Sequence, residues 1–100
     1  MRFDRFLHFA ELPPREQLAL YGISSLSNDA LIALILRSGS KHVGHVIDIA
    51  KSLLSNHAGL DGLSRATPQE LAKTPGIGVA HASAITSVFE LGRRMARVSA

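Results

Sequence analysis

The sequence predicts an all-α fold, a small bundle of five to six helices in one domain. Three observations carry that prediction. No segment sustains the apolar–polar alternation, rich in β-branched residues, that a half-buried strand needs. Apolar residues instead recur at intervals of three and four, which puts them on one face of a helix. Proline or a capping side chain precedes these runs and glycine follows them, so start and stop signals punctuate the chain at short intervals.

Residues 1–11 form a lead-in. Phe3, Phe6 and Phe9 recur every three residues, but Asp4, Arg5 and His8 interrupt them, and no helix is assigned there. Leu12-Pro13-Pro14-Arg15-Glu16 opens the first helix, because proline is tolerated in a first turn. That helix carries Leu18 and Leu20 and stops at Tyr21-Gly22, where glycine suits the left-handed position past a helix end. Ser27 is the expected N-cap of the second helix, with Asn28 and Asp29 in its favourable first turn. The run Ala30-Leu31-Ile32-Ala33-Leu34-Ile35-Leu36 is apolar on every face. A seven-residue run of this kind also suits a buried strand, but the cap and the Ala and Leu content make it a central buried helix.

The third helix has the cleanest stripe: Val43, Val46, Ile47, Ala50, Leu53 and Leu54 share one side, while Asp48, Lys51, Ser52 and Ser55 lie on the other. Gly59 is expected to end it, leaving Leu60-Asp61-Gly62-Leu63 as a tight connection or a single turn. Ala66-Thr67-Pro68-Gln69-Glu70-Leu71 then reads as a capped start, with Thr67 at N-cap, Pro68 at N1 and Glu70 at N3 of a capping box. Pro75-Gly76 keeps this helix short. After Gly78 a long helix runs through Ala82, Ile85, Phe89 and Gly92 at helical spacing and ends in an arginine cluster.

Composition bounds the function. The chain has 100 residues, no Cys and no Trp, and only five aromatic residues, so aliphatic residues and Ala must fill a small core. Without cysteine there is no disulfide scaffold, thiolate metal site or cysteine nucleophile. No apolar run approaches the ~20 residues of a membrane span, and the N-terminus lacks the apolar stretch and cleavage site of a signal peptide. A soluble cytoplasmic protein is expected, with no membrane partner. The net charge is +3. Residues 1–70 balance to zero, so the whole excess lies in residues 71–100, where Lys73, Arg93, Arg94 and Arg97 face only Glu90. Such asymmetry suits a polyanionic partner; the alternative is a solvated helix end whose arginines complement the helix dipole.

The stretch Leu71-Ala72-Lys73-Thr74-Pro75-Gly76-Ile77-Gly78-Val79-Ala80-His81-Ala82 carries the most chemistry. Gly76 and Gly78 open backbone angles closed to other residues, and Ile77 between them can turn inward as an apolar pin. The N–H groups of Gly78, Val79 and Ala80 then lie at the N-terminus of a helix, where they lack partners within the helix and the dipole is positive. A phosphate oxygen fits there without any base being read. The alternative is a glycine turn joining two packed helices.

The pattern Leu71…Pro75-Gly76-Ile77-Gly78…Ala82…Ile85 resembles the helix-hairpin-helix motif, here over residues 67–92, which binds the DNA backbone without sequence preference. A wider match follows in order: Leu12-Pro13-Pro14-Arg15-Glu16, Leu26-Ser27-Asn28-Asp29-Ala30-Leu31, Leu34-Ile35-Leu36-Arg37-Ser38-Gly39 and Glu90-Leu91-Gly92-Arg93-Arg94. Over residues 12–97 the chain resembles the N-terminal domain of the RadC family of bacterial proteins, also designated UPF0758 and historically associated with DNA repair. The resemblance implies DNA binding. It also implies a C-terminal JAB/MPN metalloprotease-like domain in the full-length protein, whose zinc residues are not in this chain. Residues 98–100 are expected to start the linker to it. An alternative implied role is a protein-interaction or scaffolding domain that positions that second domain.

DNA contacts are therefore expected at Lys73, Gly76, Ile77, Gly78, Val79, Ala80 and His81. One departure stands out: the motif often has Lys or Arg two residues after its second glycine, where this chain has Ala80. Ala80 has no amine for a Schiff base, and no Asp occurs after Asp61, which argues against glycosylase or lyase chemistry. Arg37-Ser38-Gly39-Ser40-Lys41-His42-Val43-Gly44 also suits a second, pseudo-symmetric hairpin, since Leu34 precedes Gly39 as Leu71 precedes Gly76. A plain interhelical loop serves that stretch equally well. Arg37, Gly39, Ser40 and Lys41, with Arg93 and Arg94, form the secondary DNA-contact set. His42 and His45 share a spacing of three but have no matching carboxylate, so no metal site is expected. No nucleophile elbow, P-loop or paired carboxylate is present, so the region is expected to be non-enzymatic and to need no cofactor.

Overall fold

The structure is a computed structural model and describes residues 12–37 and 46–99. Among the described residues it is all-helical, with six α-helices and one short 3-10 turn. Pro13 at N-cap and Pro14 at N1 open α1 (Pro14–Tyr21), where a missing N–H is harmless. Gly22 closes it with φ 87°, its N–H donating to the Leu18 carbonyl at 2.9 Å. The expected apolar face of α1 is only partly used. Leu20 stays half exposed and Gln17 is buried instead, its Nε2 donating to the Leu12 carbonyl at 2.9 Å.

After the 3-10 turn at Ile23–Ser25, Ser27 caps α2 (Asn28–Arg37) as its sequence predicts. The Ala30 N–H donates to Ser27 Oγ at 3.3 Å, and the Leu31 N–H to the Ser27 carbonyl at 3.0 Å. Ala30, Ile32, Ala33 and Leu36 are buried, which makes α2 the central helix. It packs on α3 (Val46–Asn56), which buries Val46, Ala50 and Leu53 and exposes Asp48, Lys51, Ser52 and Ser55. Val43, the expected start of that stripe, lies outside the described residues.

The junction after α3 departs from the sequence reading. Gly59 does not end α3; it opens a further helix, α4 (Gly59–Arg65), and the expected tight connection at residues 60–63 is helical. The chain turns at Gly59 (φ 85°) and at Ala58, which among the described residues is the non-glycine residue that takes left-handed angles (φ 61°, ψ 45°). Strain of about 1–2 kcal/mol at such a residue is offset by burying Leu63, which is 1% exposed and gains about 1.5–3 kcal/mol. Gly62 makes the close approach possible, because a Cβ there would lie 1.6 Å from the His57 carbonyl oxygen.

Thr67 then caps α5 (Pro68–Leu71) in a complete capping box. The Glu70 N–H donates to Thr67 Oγ1 at 3.1 Å, and the Thr67 N–H donates to Glu70 Oε1 at 2.8 Å. The last helix, α6 (Val79–Ser99), buries Ala82 and Ile85 against α2 and α5 and half-buries Phe89. Gly92, expected on that same face, is exposed. Leu36, Leu53, Leu63, Leu71 and Ile85, one each from α2 to α6, are the largest fully buried side chains.

Candidate nucleic-acid interface

The turn between α5 and α6 is fixed from both sides. Leu71 is fully buried and anchors the end of α5. The Thr74 N–H donates to the Leu71 carbonyl at 3.1 Å and the Ile77 N–H to the Thr74 carbonyl at 3.0 Å, so the backbone winds tightly through Pro75-Gly76. Thr74 is itself buried, and Asn56 Nδ2 at the end of α3 donates to its Oγ1 at 3.5 Å. Ile77 is 6% exposed and belongs to the core, as expected of an apolar pin.

The two glycines have different reasons for being glycine. Gly76 has φ +94°, and a Cβ there would meet Ile49 Cδ1 at 2.6 Å. Its lack of a side chain is required by the fold. Gly78 has no left-handed φ, contrary to the expectation of special angles at both positions, and a Cβ there would meet nothing within 4 Å. Nothing among the described residues demands glycine at 78.

Gly78 also begins the long helix. The Ala82 N–H makes the first intrahelical bond, to the Gly78 carbonyl at 3.0 Å. The N–H groups of Gly78, Val79, Ala80 and His81 therefore have no acceptor within α6, and they carry the positive end of its dipole. Val79 is 79% exposed and Ala80 is exposed, so the helix start is uncovered. Lys73 is exposed on the connection and lines a polar cleft with Asn56, His57, Glu70 and Thr74. Asn56 and His57 were not read from the sequence as neighbours of the hairpin. Asn56 and Thr74 are 18 residues apart in the chain, so their contact has no local signal. Glu70 is held below the usual carboxylate range, first by the backbone hydrogen bond from Thr67, then by the Thr67 hydroxyl, with smaller help from His57 and Lys73.

The secondary positions are less uniform. Arg93, Arg94 and Arg97 all converge on Glu90, at 3.1, 3.0 and 3.4 Å. Hydrogen bonds from Arg94 and then Arg93 hold the Glu90 carboxyl low. Arg93 Nη1 also donates to the Ser64 carbonyl at 3.0 Å and so ties α6 to α4. On a straight helix this cluster stands ~22 Å from Gly78, so it cannot share one phosphate with the hairpin. Arg37 is half-buried at the end of α2 beside Pro14 and Val46. Gly39, Ser40 and Lys41 lie outside the described residues, and so does the second hairpin they would form. Among the described residues no cluster of His, Asp or Glu could hold a metal ion. No helix there is long and apolar enough to cross a membrane.

A family model described as UPF0758 N-terminal matches residues 10–83, a span that includes the capping box, both glycines and the start of α6. The chain belongs to the UPF0758 family. It is 46% identical over 87 residues to a UPF0758 protein of Desulforudis audaxviator, covering 87% of this chain and 37% of that protein. A UPF0758 protein of Bacillus cereus is 47% identical over 88 residues, covering 88% of this chain and 39% of the relative. The chain thus spans less than two fifths of the length of these UPF0758 relatives. No solved structure matches it.

Proposed function

We propose that this UPF0758 N-terminal region is a non-catalytic module that binds the DNA backbone without reading its sequence, in a protein associated with DNA repair or recombination. The observation that carries the reading is Gly78. No contact and no left-handed angle demands glycine there, and the position opens directly onto four N–H groups without helical acceptors. The missing side chain leaves the donors open to a group approaching from outside, and a phosphate oxygen is the group such a helix start accepts. Gly76 and Ile77 shape and anchor the turn. Val79, Ala80 and His81 present backbone, and Lys73 supplies the nearby positive charge. With Ala80 in place of a cation, affinity rests mainly on the backbone donors.

Fluorescence anisotropy with a labelled duplex and a labelled single strand, at about 50 mM and about 200 mM salt, tests the reading. Weak, salt-sensitive binding with little sequence preference is expected. Gly78→Val places a branched side chain over the donors, where a Cβ meets no neighbouring atom within 4 Å. It is expected to weaken binding about tenfold or more, the scale of one lost hydrogen bond to a charged group. Undiminished binding by a fully helical Gly78→Val protein would overturn the hairpin as the contact.

A second reading is that this region is a scaffold for a C-terminal JAB/MPN metal-hydrolase-like domain. It draws support from the greater length of the UPF0758 relatives.

A further inference from the structure

α6 carries two apolar faces, and only one is used. Ala82, Ile85 and Phe89 turn to the core. Val88, Leu91, Met95 and Val98 turn away from it and are 45, 62, 68 and 87% exposed. Residues 91–98 are all exposed, and past the Arg93 tie to Ser64 the end of α6 projects beyond the bundle. At the root of this projection lies an apolar groove of about 130 Å³ between α2, α4 and α6, lined by Leu31, Ile35, Leu60, Val88 and Phe89 among others. Stripe and groove meet at Val88 and make one continuous patch, larger than the scattered apolar residues of an ordinary surface.

The spacing of the stripe identifies what fits it. Intervals of three, four and three are the a and d positions of a coiled-coil seam. The series also reads the same in both directions. Two copies of α6 laid antiparallel around a two-fold axis near residue 93 therefore match Val88 with Val98 and Leu91 with Met95, twice over, as an isologous interface requires. We propose that this face is a homotypic interface, with α6 of a second copy of this chain packed antiparallel along it and Val98 of that copy at the mouth of the groove.

The flanks agree with this occupant. Gly92 lies beside the seam, in a helix interior where glycine weakens the helix and where no atom lies within 4 Å of its Cβ position. Across the two-fold, two Gly92 residues meet and let the backbones approach. On the other flank Arg94 meets its own counterpart, but each Arg94 is paired to Glu90 at 3.0 Å, so that flank carries both signs. The area involved is on the order of 1,000 Å² in total, the lower edge of specific association, and the dimer is accordingly weak. This interface does not depend on the DNA-binding reading.

Sedimentation velocity on the 100-residue chain, from micromolar to millimolar concentration, is the first test. A reversible monomer–dimer equilibrium is expected, lost in Leu91→Asp and in Met95→Asp while their circular dichroism stays helical. High salt should leave the dimer intact. The chain has no cysteine, so the geometry can be tested directly. Leu91→Cys protein mixed with Met95→Cys protein should cross-link faster than either alone, and so should Val88→Cys with Val98→Cys. A strict monomer at millimolar concentration would assign the face to another occupant, such as the rest of the longer relatives' chains, and overturn the proposal. So would a dimer indifferent to Leu91→Asp, or single-cysteine proteins that cross-link best with themselves, which would mean a parallel pair.

Discussion

Gly76 and Gly78 stand two residues apart and should respond differently to the same change. Alanine at 76 must hold φ near +94° and push Ile49 aside by several tenths of an ångström. The backbone strain is about 1–2 kcal/mol and the displaced core side chain adds to it, so Gly76→Ala should lower unfolding stability by about 2 kcal/mol or more in urea denaturation. Alanine at 78 meets open space at ordinary angles. The restriction of the unfolded chain and the poorer N-cap that alanine makes oppose each other, so stability should shift by less than about 1 kcal/mol, while the proposed DNA binding weakens. If both substitutions destabilised equally, the assignment of Gly76 to the fold and Gly78 to a ligand would fail. Ile77 between them belongs with Gly76: it is buried in the core, and truncation to alanine should cost about 2–4 kcal/mol.

α5 is only four residues long and too short to form alone. Its caps hold it, and Thr67→Ala should therefore cost about 0.5–2 kcal/mol in thermal or urea unfolding. The reciprocal bond makes the same element sensitive to pH. Because Glu70 is held below its ordinary range by Thr67, its contribution is fully present above the unfolded value, about 4.3. It is lost as the pH falls through the lower folded value. Glu90 follows the same rule through Arg94 and Arg93. Unfolding followed from pH 6 downward should show stability falling below about pH 4.3, with a shallower fall in Glu70→Gln. An unchanged profile would mean that the capping carboxylate carries no linkage. This element was legible in the sequence because its signals are local: Thr67, Pro68 and Glu70 stand at fixed offsets, and Leu71 and Ile77 flank the glycines. The start of α1, the Ser27 cap and the buried face of α3 were legible for the same reason. The α3–α4 junction was not, because Ala58 takes a left-handed angle together with Gly59 and the chain returns to helix at once. What decides that geometry is Leu63 reaching the core and Gly62 touching the His57 carbonyl, and neither contact leaves a mark on nearby residues. The lining of the hairpin cleft by Asn56 and His57 was hidden for the same reason.

Across the whole molecule, one small core connects these local devices. Leu36, Leu53, Leu63, Leu71 and Ile85 come from five different helices, so the hairpin has no stability of its own apart from the bundle. Leu53→Ala, far from the hairpin in sequence, should cost about 2–5 kcal/mol out of a total of about 5–15 kcal/mol for a domain, and the hairpin should melt with the rest in one transition. Charge is distributed differently from packing. The excess of +3 lies wholly in residues 71–100, yet within that stretch it divides between Lys73 near the hairpin and an arginine cluster that surrounds Glu90 ~22 Å away. The salt dependence of the proposed DNA binding separates the two. Each phosphate neutralised by Lys or Arg on duplex DNA contributes a slope of about −0.9 in log affinity against log salt, while backbone N–H donors release no such charge. A contact confined to the hairpin should give a slope near −0.9, and Lys73→Gln should nearly abolish it while leaving Gly78-dependent binding at low salt. A strand that crossed the end of α6 instead would engage the arginines and give a slope about two to three times steeper, unaffected by Lys73→Gln but reduced by Arg94→Gln. Arg93 also donates to the Ser64 carbonyl, and Arg94 and Arg97 are paired to Glu90, so the shallow slope is the expected one. A steep slope carried by the arginines would move the DNA contact from the hairpin to the far end of α6.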